Sequence, residues 1–139
     1  MKIEPGNIWS GDRLRAVFTN PTELAKRKGN LKHSYPVVFR GKSYPDVESV
    51  YQSYKLECGK YLSFEELQAL MVEAIACKLI QYPILVEVIS ENGGEDWING
   101  CSHFTGARSK NFQRWEGNGI ESAFIRCLLS AYQQVTPHS

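Results

Sequence analysis

Between Ser63 and Leu79 the chain carries its most constraining pattern. Ser63 and Glu66 stand at capping-box spacing: a hydroxyl accepts from the third helical amide while a carboxylate reaches back to the cap's own amide. Leu67, Leu70, Met71, Ala74, Ile75 and Leu79 then recur at three- and four-residue intervals, the period of a single helix face. A helix of about four turns follows. Its apolar face has to be covered, so the rest of the chain must supply the covering surfaces.

The C-terminal segment supplies one. Ile120, Phe124, Cys127, Leu128, Ala131 and Val135 repeat at helical spacing, and Asn118 with Glu121 forms a second capping pair. Pro83 stops the first helix and can open another segment through "ILVEVISENGG", which suits a helix or a buried strand until Gly93-Gly94 ends it. "DWINGCSHF" reads as a short strand and "TGARSKNFQRWEGNG" as a basic, aromatic, glycine-bearing loop. Towards the N-terminus, "AVF" and "PVVF" read as brief strands around the basic run "KRKGNLK". A turn is expected at Arg40-Gly41-Lys42.

With 139 residues, no internal repeat and no linker, the chain is expected to form one domain over residues 1–139. Its 42% hydrophobic and 22% charged residues exclude a disordered chain. No apolar run approaches the ~20 residues of a membrane span, and "MKIEPGNIWSGD" lacks the apolar middle of a secretory signal, so a cytoplasmic protein is expected. Cys58, Cys77, Cys101 and Cys127 are widely spaced and lack nearby zinc-ligand partners; reduced, mostly buried thiols and no bound metal are expected. Lys and Arg outnumber Asp and Glu by 11 to 6 in residues 1–60, and are outnumbered 5 to 9 in residues 61–139. An anionic ligand therefore suits the first part, while a net charge of +1 argues against strong nonspecific nucleic-acid binding.

"SYPDVESVYQSYK" concentrates chemistry on one element. Asp46 caps a helix on which Val47, Tyr51, Tyr54 and Cys58 form the apolar stripe, and Gly59 ends it. Glu48, Gln52 and Lys55 fall at i, i+4 and i+7 beside that stripe. Seven residues span about 10 Å of helix axis, too far for a simple ion pair and wide enough to hold a sugar between carboxylate and ammonium. A carboxylate can stabilise, attack or hydrate an anomeric centre that gains positive charge, and Lys55 can act as acid or form a Schiff base. The plain alternative is a solvated helix face.

"FRGKSYPDVESVYQSYK" resembles the signature segment of the NADAR (YbiA-like) superfamily, whose members show a glycine turn, an aromatic residue, then Glu followed by an aromatic-Gln pair and Lys. "FTN" at 18–20 resembles the family's Phe-Ser-Asn, "EAIACKLIQYPILVEVI" its Lys-apolar-x-Gln-x-Pro segment, and "WEGNG" at 115–119 its Trp-Gly-x-Gly loop. Glu116 stands where that loop has its first glycine. Trp97 of "EDWING" is a second match to the loop tryptophan, but leaves a longer insertion before the last helix than Trp115 does.

The resemblance implies an α+β, helix-rich YbiA-like domain, with two helices rather than a strand at 84–89, that hydrolyses the N-glycosidic bond of ADP-ribosyl or phosphoribosyl conjugates without a cofactor. It implies Glu48 and Lys55 as catalytic residues, and Asn20, Tyr44, Gln52, Trp115, Gly117 and Asn118 as substrate contacts. The expected partner is a small ribosyl substrate or an ADP-ribosylated nucleobase, nucleic acid entering only as the modified substrate. A noncatalytic ADP-ribose or nucleotide binder is the alternative. A third reading is a nucleic-acid binder using Arg108, Lys110, Phe112, Arg114 and Trp115. Lys26, Arg27, Lys28 and Lys32 are expected to face solvent or a pyrophosphate. His103 reads as a hydrogen-bonded structural residue; His33 and His138 stand apart from it.

Overall fold

The computed structural model describes residues 2–57, 59–106 and 108–136. Cys58 and His138, singled out above, lie outside the described residues.

After a single 3-10 turn at Ala16–Phe18 come α1 (Thr22–Arg27), the strands β1 (Val37–Phe39) and β2 (Lys42–Tyr44), and α2 (Val47–Tyr54). "AVF" is therefore a helical turn and not a strand. Asp12 Oδ1 accepts from the amides of Leu14 and Arg15 at 2.8 and 2.9 Å and curls the segment locally. β1 and β2 pair antiparallel with Val37 opposite Tyr44. Their turn has Arg40 at φ 50° and Gly41 at φ 81°, the two positive values that a tight, right-twisting hairpin requires. The side-chain amide of Gln81 covers the hairpin's outer edge: Val38 N donates to Oε1 and Nε2 donates to the Val38 carbonyl, both at 2.9 Å.

Asp46 caps α2, its Oδ1 accepting from Ser49 N at 2.9 Å. The helix ends at Tyr54, four residues short of the expected Cys58. The chain turns instead into a hairpin of β3 (Leu56–Glu57) and β4 (Lys60–Tyr61), and Gly59, at φ 79°, serves that turn rather than a helix end.

α3 (Phe64–Gln81) starts on the full Ser63–Glu66 capping box and runs 18 residues, a turn longer than its apolar pattern implies. α4 (Pro83–Glu91) begins with proline at its first turn, so the ambiguous apolar run is a helix. α5 (Glu95–Asn99) replaces most of the strand expected in "DWINGCSHF". Trp97 is fully buried there, its indole N–H donating to the Ile3 carbonyl at 2.8 Å. Only β5 (Ser102–His103) is extended; it pairs with β6 (Gly117–Asn118), and α6 (Lys110–Gln113) interrupts the loop between them.

α7 (Ala123–Val135) is capped by Ser122, whose Oγ accepts from Ile125 N at 3.1 Å, and not by the Asn118–Glu121 pair, which belongs to a preceding 3-10 turn at Gly119–Glu121. Ile120 is exposed on that turn instead of joining the core. α3 and α7 make the most extensive pairing in the fold. Leu67, Leu70, Met71, Ala74, Ile75 and Leu79 meet Phe124, Cys127, Leu128 and Ala131 in one core, to which the β1–β2 hairpin and α2 add Val37, Phe39, Val47 and Val50. The result is mixed α and β, rich in helix. Among the described residues no single helix is long and apolar enough to cross a membrane.

Candidate functional site

Five separate stretches of chain surround a cavity of about 320 Å³. Trp9 and Ser10 come from the N-terminal segment, Thr19 to Pro21 with Leu24 and Lys28 from around α1, Glu48 and Tyr51 from α2, and Met71 from α3. His103, Thr105, Phe112, Trp115 and Phe124 close it from the C-terminal third. This volume is at the small end of ligand sites, and the wall combines apolar rings with few polar groups.

Behind Asn20 and Glu48 on the wall, Asp46 serves the first turns of two helices. Asp46 Oδ1 holds the amide and hydroxyl of Ser49, while Oδ2 accepts from Glu23 N at 3.1 Å, so one carboxylate ties α1 to the start of α2. The Asn20 carbonyl accepts from Thr22 N at 2.9 Å and from Glu48 N at 3.2 Å. The Asn20 side chain donates to Met71 Sδ at 3.1 Å. Beneath this segment the buried Lys78 ammonium donates to the carbonyls of Val17 and Thr19 at 2.6 and 2.9 Å. Desolvation lowers its affinity for a proton to a pKa of about 7, with Asp46 opposing.

Glu48 is half-buried in the first turn of α2. Burial pushes its carboxyl up to about 7; a hydrogen bond from Gln52 opposes, the Asp46 charge adds to the rise, and the Lys55 charge opposes. Both protonation states are therefore accessible near neutrality.

Trp115 is buried at 7% exposure, with Tyr51 edge-on at 5.7 Å and Phe64 at 5.2 Å between ring centroids. Its carbonyl accepts from Ser122 Oγ at 2.6 Å and from Phe124 N at 3.3 Å, anchoring the loop to α7. At another part of the wall Lys28 donates to Ser10 Oγ at 2.7 Å and sits 5.1 Å from the Trp9 ring centroid.

Of the residues singled out from sequence, Glu48, Asn20 and Trp115 meet on this cavity with Lys28, His103 and Phe112, and Trp97 does not, being sealed in the core. Lys55, Gln52, Tyr44, Gly117 and Asn118 are not on the wall either. Gln52 is exposed, Lys55 follows the last residue of α2, and Tyr44 packs beside Tyr54 with their hydroxyls 3.4 Å apart. Gly117 has φ 149°, and a Cβ there would stand 2.9 Å from the Glu121 carbonyl carbon, so it serves a close backbone approach. Asn118 is exposed and pairs with Ser102. Glu116 accepts from Thr105 N and Oγ1 at 2.5 and 2.8 Å and joins the two ends of the loop between β5 and β6.

Trp9, Met71, Tyr51 and His103 escaped the sequence reading as site residues, because each sits on an apolar pattern or a short segment indistinguishable from core. Among the described residues no cluster of His, Cys, Asp and Glu is arranged to hold a metal ion.

The chain matches no known protein-family model, no curated protein and no solved structure.

Proposed function

We propose that this chain is a hydrolase of the NADAR (YbiA-like) kind, an N-glycosidase that cleaves the bond between ribose and a base or amine in ADP-ribosyl or phosphoribosyl conjugates, and that it works in the cytoplasm. The observation that carries the reading is Glu48: a carboxyl with a pKa of about 7 on the wall of a cavity shared with Asn20 and Trp115. In its ionised form it stabilises positive charge at the anomeric carbon or activates water; in its protonated form it hands a proton to the departing base. Trp115 offers an indole against which a planar base packs, and Asn20 orients the sugar. Lys55, off the wall, acts through its charge on the ionisation of Glu48.

The test mixes the protein with ADP-ribosylated guanosine and, separately, with the aminopyrimidine ribosyl phosphates of riboflavin synthesis. Release of free base or amine is expected from one class, and unchanged substrate in both at high protein concentration rejects the reaction.

A second reading, a noncatalytic ADP-ribose or nucleotide binder, is favoured by Glu116, which stands where the family's loop has its first glycine and is held by Thr105. Calorimetry with ADP-ribose beside the hydrolysis assay separates the two: binding without product formation favours the binder.

A further inference from the structure

Backbone pairing on both sides carries His103 to the cavity. Gly117 of β6 is its partner across one edge of β5, and on the other edge Ile8 N donates to the Ser102 carbonyl at 2.8 Å. The Ile8 carbonyl is thereby held 2.7 Å from His103 Nδ1. A carbonyl oxygen only accepts, so Nδ1 bears the proton and Nε2 of the neutral ring keeps a lone pair. Phe124 lies along one face at 4.5 Å between centroids and fixes the ring plane. Burial holds the ring's proton affinity below the usual histidine range, against the opposing Ile8 carbonyl and Glu116, so the neutral form prevails near neutrality.

Nε2 has no protein partner among the described residues. Among the described residues, the sealed side-chain oxygens and nitrogens that lack a partner are Thr22 Oγ1 and Glu23 Oε1. Nε2 is not one of them, and its residue lines the cavity. An unshared, unsealed lone pair therefore belongs to a residue on the wall that Glu48 and Trp115 also line.

We propose that His103 Nε2 is a fixed hydrogen-bond acceptor of the ligand site, taking a hydroxyl donor of the bound ribose. The inference rests on the ribosyl reading above and adds a specificity group to it. An acceptor-only atom at this place favours a polyol, whose hydroxyls donate, over phosphate oxygens, which do not. It complements the donors nearby, the Lys28 ammonium and the protonated form of Glu48.

Two substitutions separate the ring's two nitrogens. In His103→Asn the side-chain amide N–H reaches the place of Nδ1 and keeps the Ile8 bond, while nothing replaces Nε2. In His103→Gln an amide oxygen takes the place of Nε2. With ADP-ribose as probe, calorimetry is expected to show about tenfold weaker binding for His103→Asn, the loss of one hydrogen bond, and partial recovery for His103→Gln. Melting temperature, unchanged in His103→Asn, excludes misfolding as the cause.

A second arm uses diethyl pyrocarbonate, which acylates unprotonated imidazole nitrogen, read by mass spectrometry of the wild type. His103 is expected to be modified, and ADP-ribose to slow its modification. His103 left unmodified, modification that ADP-ribose does not slow, or wild-type affinity in His103→Asn each overturns the proposal. The outcomes also separate it from the reaction. Protection of His103 with no substrate cleaved refutes the hydrolysis and supports the acceptor; cleavage with undiminished affinity in His103→Asn refutes the acceptor alone.

Discussion

The Glu48 amide donates to the Asn20 carbonyl across 3.2 Å, and both residues line the same cavity. Main chain thus fixes the base of a carboxyl that burial raises to about 7. Glu48→Gln keeps that amide bond and the side-chain volume while removing the titrating group. Hydrolysis by this variant is expected to fall by roughly 10²–10⁴, with ADP-ribose affinity nearly unchanged. Single-turnover product formation beside calorimetry checks it, and full activity in the variant would remove Glu48 from the chemistry.

Asp46 supports Glu48 from two residues away. Its carboxylate caps α2 and also holds Glu23 N of α1, so Asp46→Ala frees two backbone amides at once. Loss of an N-cap costs about 1 kcal/mol, and the abandoned Glu23 amide adds a similar amount, about 1 kcal/mol. Urea unfolding is expected to show the sum, and activity to fall with it because the first turn of α2 loosens. A loss of stability no greater than that of an exposed alanine substitution argues against the cross-tie.

How much of this was legible in the sequence depended on the range of each signal. The Ser63–Glu66 box and the apolar face of α3 are local and periodic, and both are realised; so are the Asp46 cap and the turn at Arg40-Gly41, although Lys42, expected in that turn, opens β2. The 3-10 turn at Ala16–Phe18 and the five residues of α5 are too short to display a period, and their apolar residues passed for strands. The helical wheel placed Gln52 and Lys55 in the same arc as Glu48, but a wheel gives angle and not height. Two turns, about 10 Å along the axis, separate Lys55 from the cavity that holds Glu48. Trp9, Met71 and His103 come together only through packing of distant segments, which no local pattern encodes.

Gly41 and Gly117 both have positive φ, yet they are constrained differently. At Gly41 an added Cβ meets nothing within 4 Å, so Gly41→Ala is expected to cost about 1 kcal/mol from backbone conformation alone. At Gly117 the added Cβ falls 2.9 Å from backbone atoms of Glu121 and Ser122, and the Ser122 hydroxyl holds the Trp115 carbonyl. Gly117→Ala is expected to be the more destabilising of the two and to alter Trp115 fluorescence, which Gly41→Ala leaves alone. Equal melting temperatures for the two variants would contradict the close approach.

The two groups with pKa values near 7 pull stability in opposite directions with pH. Glu48 is raised in the folded chain from an ordinary value of 4.5 to about 7, so the folded state holds a proton that the unfolded chain has released between those values. Its contribution is present at acid pH and is lost as pH rises through that window, by at most roughly 3 kcal/mol. Lys78 is lowered from 10.5 to about 7, so here the unfolded chain holds the extra proton. Its contribution is fully present only at alkaline pH and is lost as pH falls towards 7. Urea unfolding at a series of pH values is expected to show wild type losing stability relative to Glu48→Gln between pH 4.5 and 7. Relative to Lys78→Met, wild type gains roughly 2 kcal/mol from pH 7 to about 9. Lys78→Met is less stable than wild type throughout, since the Val17 and Thr19 carbonyls lose their donor beneath Asn20. A pH-independent difference for either variant would mean that its parent group does not titrate in that window, and for Glu48 it would take away the proton on which the proposed chemistry turns.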